Sequence, residues 1–282
     1  MSDGRNGSKE IFSKTALYFI LIILLAGILL PFYWMIKTSL ESNISLFKFP
    51  PSFFTPKPNW SSYVDIFIER PLLQWFQNSL KVSLIVTFFS MIVSGFSAYS
   101  LSRFPTRLNK TVGFIILTTQ MFPGTFLLLP IYMIFRSLGL VDTHTGITVA
   151  YITFTLPVCI WMLKGYFDSV PVEIEESAII DGCSRMGILF RMTLPLSLAG
   201  IAATSIYAFI QAWDEFMFVF LLISSDSKWL LSNGLFSLIG EYLTPWNWLM
   251  AIGTVYTLPA VVLFLFLQRY LVSGVTSGAV KG

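Results

Sequence analysis

The most informative stretch of the chain is residues 168–182, which read DSVPVEIEESAIIDG. A proline followed by several glutamates is typical of a first helical turn, where the helix dipole favours negative charge. Gly182 supplies the stop, because glycine readily takes the left-handed conformation that ends a helix. The stretch therefore predicts a short helix with acidic residues on display and with Ile174, Ala178 and Ile179 available for docking.

The composition around this stretch is that of a membrane protein. Of the 282 residues, 55% are apolar and 12% are charged, whereas soluble domains carry about a quarter charged residues. The net charge of +3 is small, and nothing indicates a nucleic-acid-binding surface. Two cysteines and the single loop histidine, His144, make neither a disulfide framework nor a set of metal ligands. Enzyme action by this chain alone is therefore not expected.

Six apolar runs are long enough to cross a bilayer as helices. The predicted spans are residues 15–36, 79–101, 111–135, 147–167, 194–223 and 249–272. They divide the chain into an N-terminal segment (1–14), a membrane domain (15–272) with a loop at 168–193, and a C-terminal tail (273–282). The first run exceeds a signal-peptide core of about 7–15 apolar residues, so we expect it to remain in the protein.

The distribution of Lys and Arg predicts the orientation, because cytoplasmic segments retain positive charge during insertion. Eleven of the eighteen basic residues lie on the side of both termini and of residues 168–193, which we therefore expect to be cytoplasmic. An alternative is an amphipathic helix lying on the lipid headgroups. Such a helix should be rich in Lys and Arg, and this one is acidic, which favours a basic protein groove as its partner.

Three sequence segments carry a family resemblance. Residues 175–183 read EESAIIDGC, Leu194-Pro195 follows at a fixed spacing, and residues 274–282 read GVTSGAVKG. This pattern resembles the signature and terminal tail of the integral-membrane subunits of bacterial ABC sugar importers, especially the second permease of maltose-type oligosaccharide importers. The chain departs from the family pattern at three positions, and each change in side-chain size is small or easily accommodated. Ser177 and Cys183 replace alanines, and Met192 stands where isoleucine is common.

The resemblance implies an all-α membrane protein of about six spans, with the type I ABC importer permease fold and a cytoplasmic coupling helix at residues 171–183. In the family this helix sits in a cleft of the ATPase subunit, where the residue matching Glu176 pairs with a basic side chain. The implied coupling residues are Glu175, Glu176, Ser177, Ala178, Asp181 and Gly182.

The resemblance also gives the terminal tail a role. In the family the tail reaches towards the interface of the two ATPase subunits, and a frayed, unimportant terminus is the alternative reading. The residues concerned are Thr276, Ser277, Gly278, Lys281 and Gly282.

Polar residues inside the apolar runs mark a candidate substrate pathway. Asp214 and Glu215 lie in the fifth run beside Trp213, and Gln120 lies in the third. Ionisable groups at such positions usually face a bundle interior or a water cavity. Sugars are commonly held by aromatic stacking and by carboxylate and amide hydrogen bonds, so these residues are candidates for sugar contact. The alternative is that they only brace neighbouring helices or end a broken one.

The resemblance further implies the partners. They are a paralogous permease, two ATPase subunits, an extracytoplasmic solute-binding protein, a carbohydrate and membrane lipid, in a bacterial cytoplasmic membrane. The sequence has no Gly-x-x-x-x-Gly-Lys-Ser/Thr motif, so ATP and Mg²⁺ are expected on the ATPase, with no cofactor in this chain. An ATP-independent secondary transporter acting as an oligomer is the alternative function. Such folds usually pair two repeats, and no repeat is visible here.

Overall fold

The chain is built from helices. The structure is a computed structural model that describes residues 3–55, 57–240 and 244–279, with side chains described between residues 14 and 271 of those ranges. The α-helices are α1 (Asp3–Ser39), α2 (Asn43–Leu46), α3 (Ser61–Ile68), α4 (Leu72–Arg103), α5 (Arg107–Thr119), α6 (Gly124–Ser137), α7 (His144–Asp168), α8 (Val172–Ile180), α9 (Arg185–Ile188), α10 (Leu194–Leu196), α11 (Leu198–Asp214), α12 (Met217–Leu222), α13 (Leu231–Phe236) and α14 (Trp246–Ala279). No β-strand occurs in these ranges, and the predicted all-α class is confirmed.

Within the residues that the structure describes, up to six membrane spans can be assigned by length and composition. Four single helices qualify on their own: Lys14–Ser39 of α1, α4, α7 and Trp246–Leu271 of α14. Two further spans arise only if each of two bent pairs counts as one, namely α5 with α6, bent by 102°, and Arg185–Leu196 with α11, bent by 82°. The runs 111–135 and 194–223 are therefore broken helices, and the first break lies next to Pro123 and Gly124, where the sequence predicts a kink.

The breaks have local causes. Helix α5 ends at Thr119 and α6 restarts after Pro123, whose backbone is extended (φ −59°, ψ 127°). Proline lacks an amide hydrogen and disfavours helical geometry in the residue before it. Run 194–223 bends at Ser197, between the two helices that meet at 82°, and breaks again at Glu215, which is extended (φ −68°, ψ 131°) and ends α11. Its carboxylate oxygens accept the amide hydrogen of Phe218 at 3.1 Å and so cap α12.

The chain divides into two compact units, and Pro71–Ser237 with Tyr256–Gly282 form the larger one. In this unit α4 packs against α7 and α11. Buried Ser83, Ser90 and Ser94 on α4 are small residues that allow membrane helices to approach closely. Gly200 on α11 serves the same purpose, because a Cβ there would lie 2.2 Å from Cγ of Tyr166 on α7.

The smaller unit comprises Met1–Arg70 and Leu238–Val255. It contains the segment that follows α1, which is ordered by polar contacts: Ser39 Oγ lies 2.7 Å from the Tyr63 hydroxyl, and Asn247 Nδ2 donates to Ser62 Oγ at 3.0 Å. These contacts fix α3 within the unit.

The loop between α6 and α7 is held by Asp142, a non-glycine residue with a positive φ of 55°. One carboxylate oxygen accepts the amide hydrogens of Ser224 and Ser225, and the other accepts the Ser225 hydroxyl and Lys228 Nζ, which lies 2.8 Å away. His144 Nε2 lies 2.9 Å from the Lys228 carbonyl oxygen. His144 therefore braces this loop. The sequence alone had assigned no role to this histidine.

Asp142→Asn should make the protein less stable at neutral pH. The hydrogen bonds from Lys228 and Ser225 hold the pKa of Asp142 well below its usual range, so the carboxylate stabilises the fold above its unfolded pKa of about 4. That stabilisation is lost as the pH falls towards the folded pKa. We expect the variant to melt a few degrees (about 2–4 °C per kcal/mol) below wild type at pH 7 in thermal unfolding of the detergent-purified protein. The gap should narrow below pH 4, and a constant gap across pH would contradict the electrostatic explanation.

Candidate coupling helix and intramembrane cavity

Helix α8 is delimited by the signals that the sequence carries. Pro171 occupies the N-cap position with extended backbone, and Glu173 and Glu175 lie in the first turn. At the other end Gly182 has a φ of 83°. Its amide donates to the Ile179 carbonyl oxygen at 3.0 Å, and the next amide donates to that of Ala178 at 2.9 Å. This pair of hydrogen bonds is the Schellman arrangement that ends a helix at a left-handed glycine.

One face of α8 is exposed and mixes acidic with apolar character. We call it the acidic face and define it as Glu173, Glu176, Ser177 and Ile180, which follow the i, i+3, i+4, i+7 spacing of one helix side. Ile180 is 86% exposed, more than any other apolar side chain of the helix. Asp181, in the turn that follows, is exposed too.

The opposite face of α8 is buried, which corrects part of the expectation from sequence. Glu175 and Ala178 are each 1% exposed, so neither is on display or available for docking. Glu175 forms an ion pair with Arg103 on α4, with Nε 2.9 Å from Oε1. Ile174 and Ile179 remain partly exposed, at 37% and 39%. The contact between Arg103 and α8 was not predicted from the sequence, because Arg103 and Glu175 are 72 positions apart.

The terminal tail can be placed only in part. Thr276, Ser277 and Gly278 belong to α14, and their side chains are not among those described. Lys281 and Gly282 lie outside the described residues. Their role at the ATPase stays a prediction.

A polar cavity of about 310 Å³ lies among α6, α7, α11 and the break between α5 and α6. It brings together two of the predicted pathway residues, Gln120 and Glu215, although they are far apart in sequence. Its other lining residues are aromatic, polar or small: Phe122, Pro123, Gly124, Tyr151, Phe154, Thr155, Tyr207, Gln211 and Phe218.

The remaining two pathway candidates lie elsewhere. Trp213 is 3% exposed and stacks on Phe209 with ring centroids 5.6 Å apart. Its Nε1 donates to the Tyr256 carbonyl oxygen at 3.1 Å, so the indole serves helix packing and does not line the cavity. Asp214 is exposed but does not line the cavity either.

Two residues that line the cavity, Tyr207 and Gln211, were not predicted, although their helical spacing from Glu215 indicates them. Tyr207, Gln211 and Glu215 recur every fourth residue, which places them along one side of α11 and its C-terminal end. The Gln211 side chain donates to the Tyr207 hydroxyl at 3.1 Å. Hydropathy alone does not mark Tyr207 and Gln211, because each is a neutral residue inside an apolar run.

A bundle of membrane helices around a polar cavity, with a short acidic helix between two spans, defines a multi-pass subunit of a solute transporter. The chain belongs to the family of inner-membrane components of binding-protein-dependent transport systems, whose family model matches residues 90–277. The resemblance inferred from residues 175–195 is thereby confirmed, and the family membership favours the ABC importer over a secondary transporter.

Relatives cover nearly the whole chain. The sulfoquinovosyl glycerol transport system permease protein SmoH of Agrobacterium fabrum is 34% identical over 98% of this chain and 97% of its own length. The trehalose/maltose transport system permease protein MalG of Thermococcus litoralis is 32% identical over 97% and 99%, respectively. Among solved structures, a chain of a bacterial ABC transporter that imports the acidic polysaccharide alginate superimposes with a TM-score of 0.79. It has 22% sequence identity and covers 93% of this chain and 97% of that one, and it confirms the fold.

Proposed function

We propose that this chain is a permease subunit of an ATP-driven importer that takes up an oligosaccharide or a related carbohydrate. The observation that carries the proposal is the acidic face of α8, which stands exposed on a helix whose other side is fastened to the membrane bundle. The substrate class is supported by two relatives that are named as permeases for sulfoquinovosyl glycerol and for trehalose or maltose. The solute would be delivered by an extracytoplasmic binding protein, as the family description indicates.

ATP hydrolysis belongs to other subunits in this proposal. The chain has no phosphate-binding Gly-x-x-x-x-Gly-Lys-Ser/Thr motif, so two ATPase subunits would bind ATP and Mg²⁺. The excess of Lys and Arg on the side of both termini favours a cytoplasmic position for α8. There the acidic face could enter a basic groove of an ATPase subunit, with Glu176 as the paired carboxylate.

Transport would follow from rigid-body motion. Closure of the two ATPase subunits would pull α8 and rock this chain against a paralogous permease, which alternately opens the pathway to each side. The cavity supplies the groups that carbohydrate recognition needs, since Tyr207 and Phe154 offer ring faces and Gln120, Gln211 and Glu215 offer hydrogen bonds.

A reconstitution experiment tests this function. The chain should be purified from its native membrane with the proteins that bind it, and placed in proteoliposomes with its binding protein. We expect an ATPase and a second permease to co-purify, and we expect uptake of a labelled oligosaccharide that requires both ATP and the binding protein. Uptake by the chain without an ATPase would contradict the proposal.

Replacing either of the two glutamines that line the cavity should impair uptake of the solute without affecting assembly of the complex. Gln120→Leu or Gln211→Leu removes hydrogen-bonding groups from the cavity, and one lost bond of about 1–1.5 kcal/mol corresponds to a change of roughly tenfold. We expect the apparent KM of uptake, or its maximal rate, to worsen by about that factor. Gln268→Leu is the matched control, because Gln268 lies on α14, where its side chain donates to the Leu265 carbonyl oxygen. Unchanged kinetics in both cavity variants would reduce these residues to a packing role.

A further inference from the structure

The buried carboxylate of Glu175 collects hydrogen bonds from two other segments of the chain. Arg103 Nε and Thr193 Oγ1 donate to Oε1 at 2.9 and 2.8 Å, and the Tyr99 hydroxyl donates to Oε2 at 3.2 Å. Tyr99 and Arg103 belong to the last turns of α4, whereas Thr193 ends a π-helical turn at Leu189–Thr193. A single side chain of α8 therefore joins α8 to both segments.

The guanidinium of Arg103 adds further links to the same region. Its Nη2 donates to the Val170 carbonyl oxygen at 3.0 Å, directly before α8, and its Nη1 donates to Ser102 Oγ at 3.0 Å. The side chains of Arg103 and Glu175 are only 5% and 2% exposed. The pair is thus shielded from solvent, and each guanidinium nitrogen of Arg103 and each carboxylate oxygen of Glu175 takes part in at least one hydrogen bond.

Stability alone does not account for an ion pair at this place. Burying two charges carries a desolvation cost, and well-packed apolar residues of similar volume are often as stabilising or more so. An apolar contact, however, tolerates sliding, whereas a network of directed hydrogen bonds specifies one geometry. Leu163, Phe167 and Leu189 already form a buried apolar cluster with Tyr99, the residue that donates to Glu175.

We propose that Arg103 and Glu175 form a positioning clamp that makes α8 move as one body with α4. The proposal rests on the function proposed above. Helix α4 packs against α7 and α11, and those two helices contribute Tyr151, Thr155, Tyr207 and Gln211 to the cavity. A displacement of α8 is therefore transmitted through the clamp to α4, and from α4 to the helices that line the cavity. Because both side chains are almost fully buried, the clamp acts in this proposal by positioning α8 and not by touching the ATPase or the solute.

The test is the amount of solute taken up per ATP hydrolysed in the reconstituted complex. Arg103→Met combined with Glu175→Leu removes both charges together, leaves no orphan charge and keeps similar volume. We expect this double variant to assemble and to melt near the wild-type temperature, while uptake per ATP falls about tenfold or more, within the usual range of a coupling between two sites. Lys164→Met is the matched control, since it removes the more exposed ion pair with Asp168 on α7, where the side chains are 23% and 43% exposed.

Wild-type uptake per ATP in the double variant would overturn the clamp and leave the pair a purely structural role. If the double variant fails to assemble, Arg103→Lys decides the question, because it keeps a positive charge beside Glu175 but removes the planar guanidinium that also donates to the Val170 carbonyl oxygen and to Ser102 Oγ. That variant should assemble and lose uptake per ATP by about fivefold, and an unchanged ratio would overturn the proposal. A wild-type complex without ATP-dependent uptake would instead refute the function on which the clamp rests, so the two failures are distinguishable.

Discussion

Glu176→Lys is expected to abolish ATP-dependent uptake by detaching the ATPase. Glu176 is exposed at the centre of the acidic face, and it has no part in fastening α8 to the bundle. In the proposed complex its carboxylate pairs with a basic side chain in the ATPase groove, so lysine would place two like charges together. Losing one partner of a buried interfacial charge pair costs about 2–5 kcal/mol, which weakens binding by about 30-fold or more.

The measurement is the yield of ATPase that co-purifies with this chain, followed by uptake in proteoliposomes. Glu69→Lys is the matched control, because Glu69 is also an exposed glutamate but lies at the C-terminal end of α3. The control should retain wild-type yield and uptake. Equal ATPase recovery with Glu176→Lys and with wild type would show that the acidic face does not dock as proposed.

Gly182→Val should also remove most of the uptake, through the backbone and not through charge. Gly182 has a φ of 83° and donates the first of the two hydrogen bonds that end α8. The left-handed conformation costs an L-residue about 1–2 kcal/mol, and a β-branched side chain is especially unsuited to it. Valine should therefore distort the turn between α8 and α9 and misplace the acidic face.

Asparagine at the same position distinguishes a conformational effect from a loss of space. A Cβ at Gly182 would meet no atom within 4 Å, so steric crowding is not the reason for glycine here. Asparagine tolerates the left-handed region better than other non-glycine residues. We expect Gly182→Asn to keep most of the uptake and Gly182→Val to lose about 90% of it, as an equilibrium shift of about 1.4 kcal/mol would produce. Equal activity of the two variants would contradict this account.

The sequence was sufficient for the class of fold because hydrophobic length and helix signals are local. The apolar runs predicted about six spans, and Pro171 and Gly182 delimited α8 correctly to within a few residues. Pro123 and Gly124 indicated a kink near Gln120, and helix termination was one alternative for Glu215, but the sequence did not indicate how complete either break is, because both lie inside runs that remain apolar on either side. Whether such a run continues or bends depends on packing that hydropathy does not report.

The two adjacent glutamates of α8 show why the site could be predicted only in part. Glu175 and Glu176 are chemically identical, yet one is buried and the other exposed. The distinction arises from Arg103, 72 residues earlier in the chain, which meets Glu175 only in the folded structure. In the same way, Trp213 faces Phe209 and Tyr256, so its proximity in sequence to Glu215 did not place it in the cavity.

Cross-linking from the acidic face tests the central claim most directly. Ser177 would be replaced by cysteine after Cys183, which is partly exposed, has been changed to alanine, and the complex would be treated with a short bifunctional maleimide in inside-out membrane vesicles. We expect Ser177→Cys to cross-link to the ATPase, and Glu69→Cys to give no ATPase adduct. Labelling of Ser177→Cys by a membrane-impermeant maleimide from outside intact cells, with no ATPase adduct, would contradict the account.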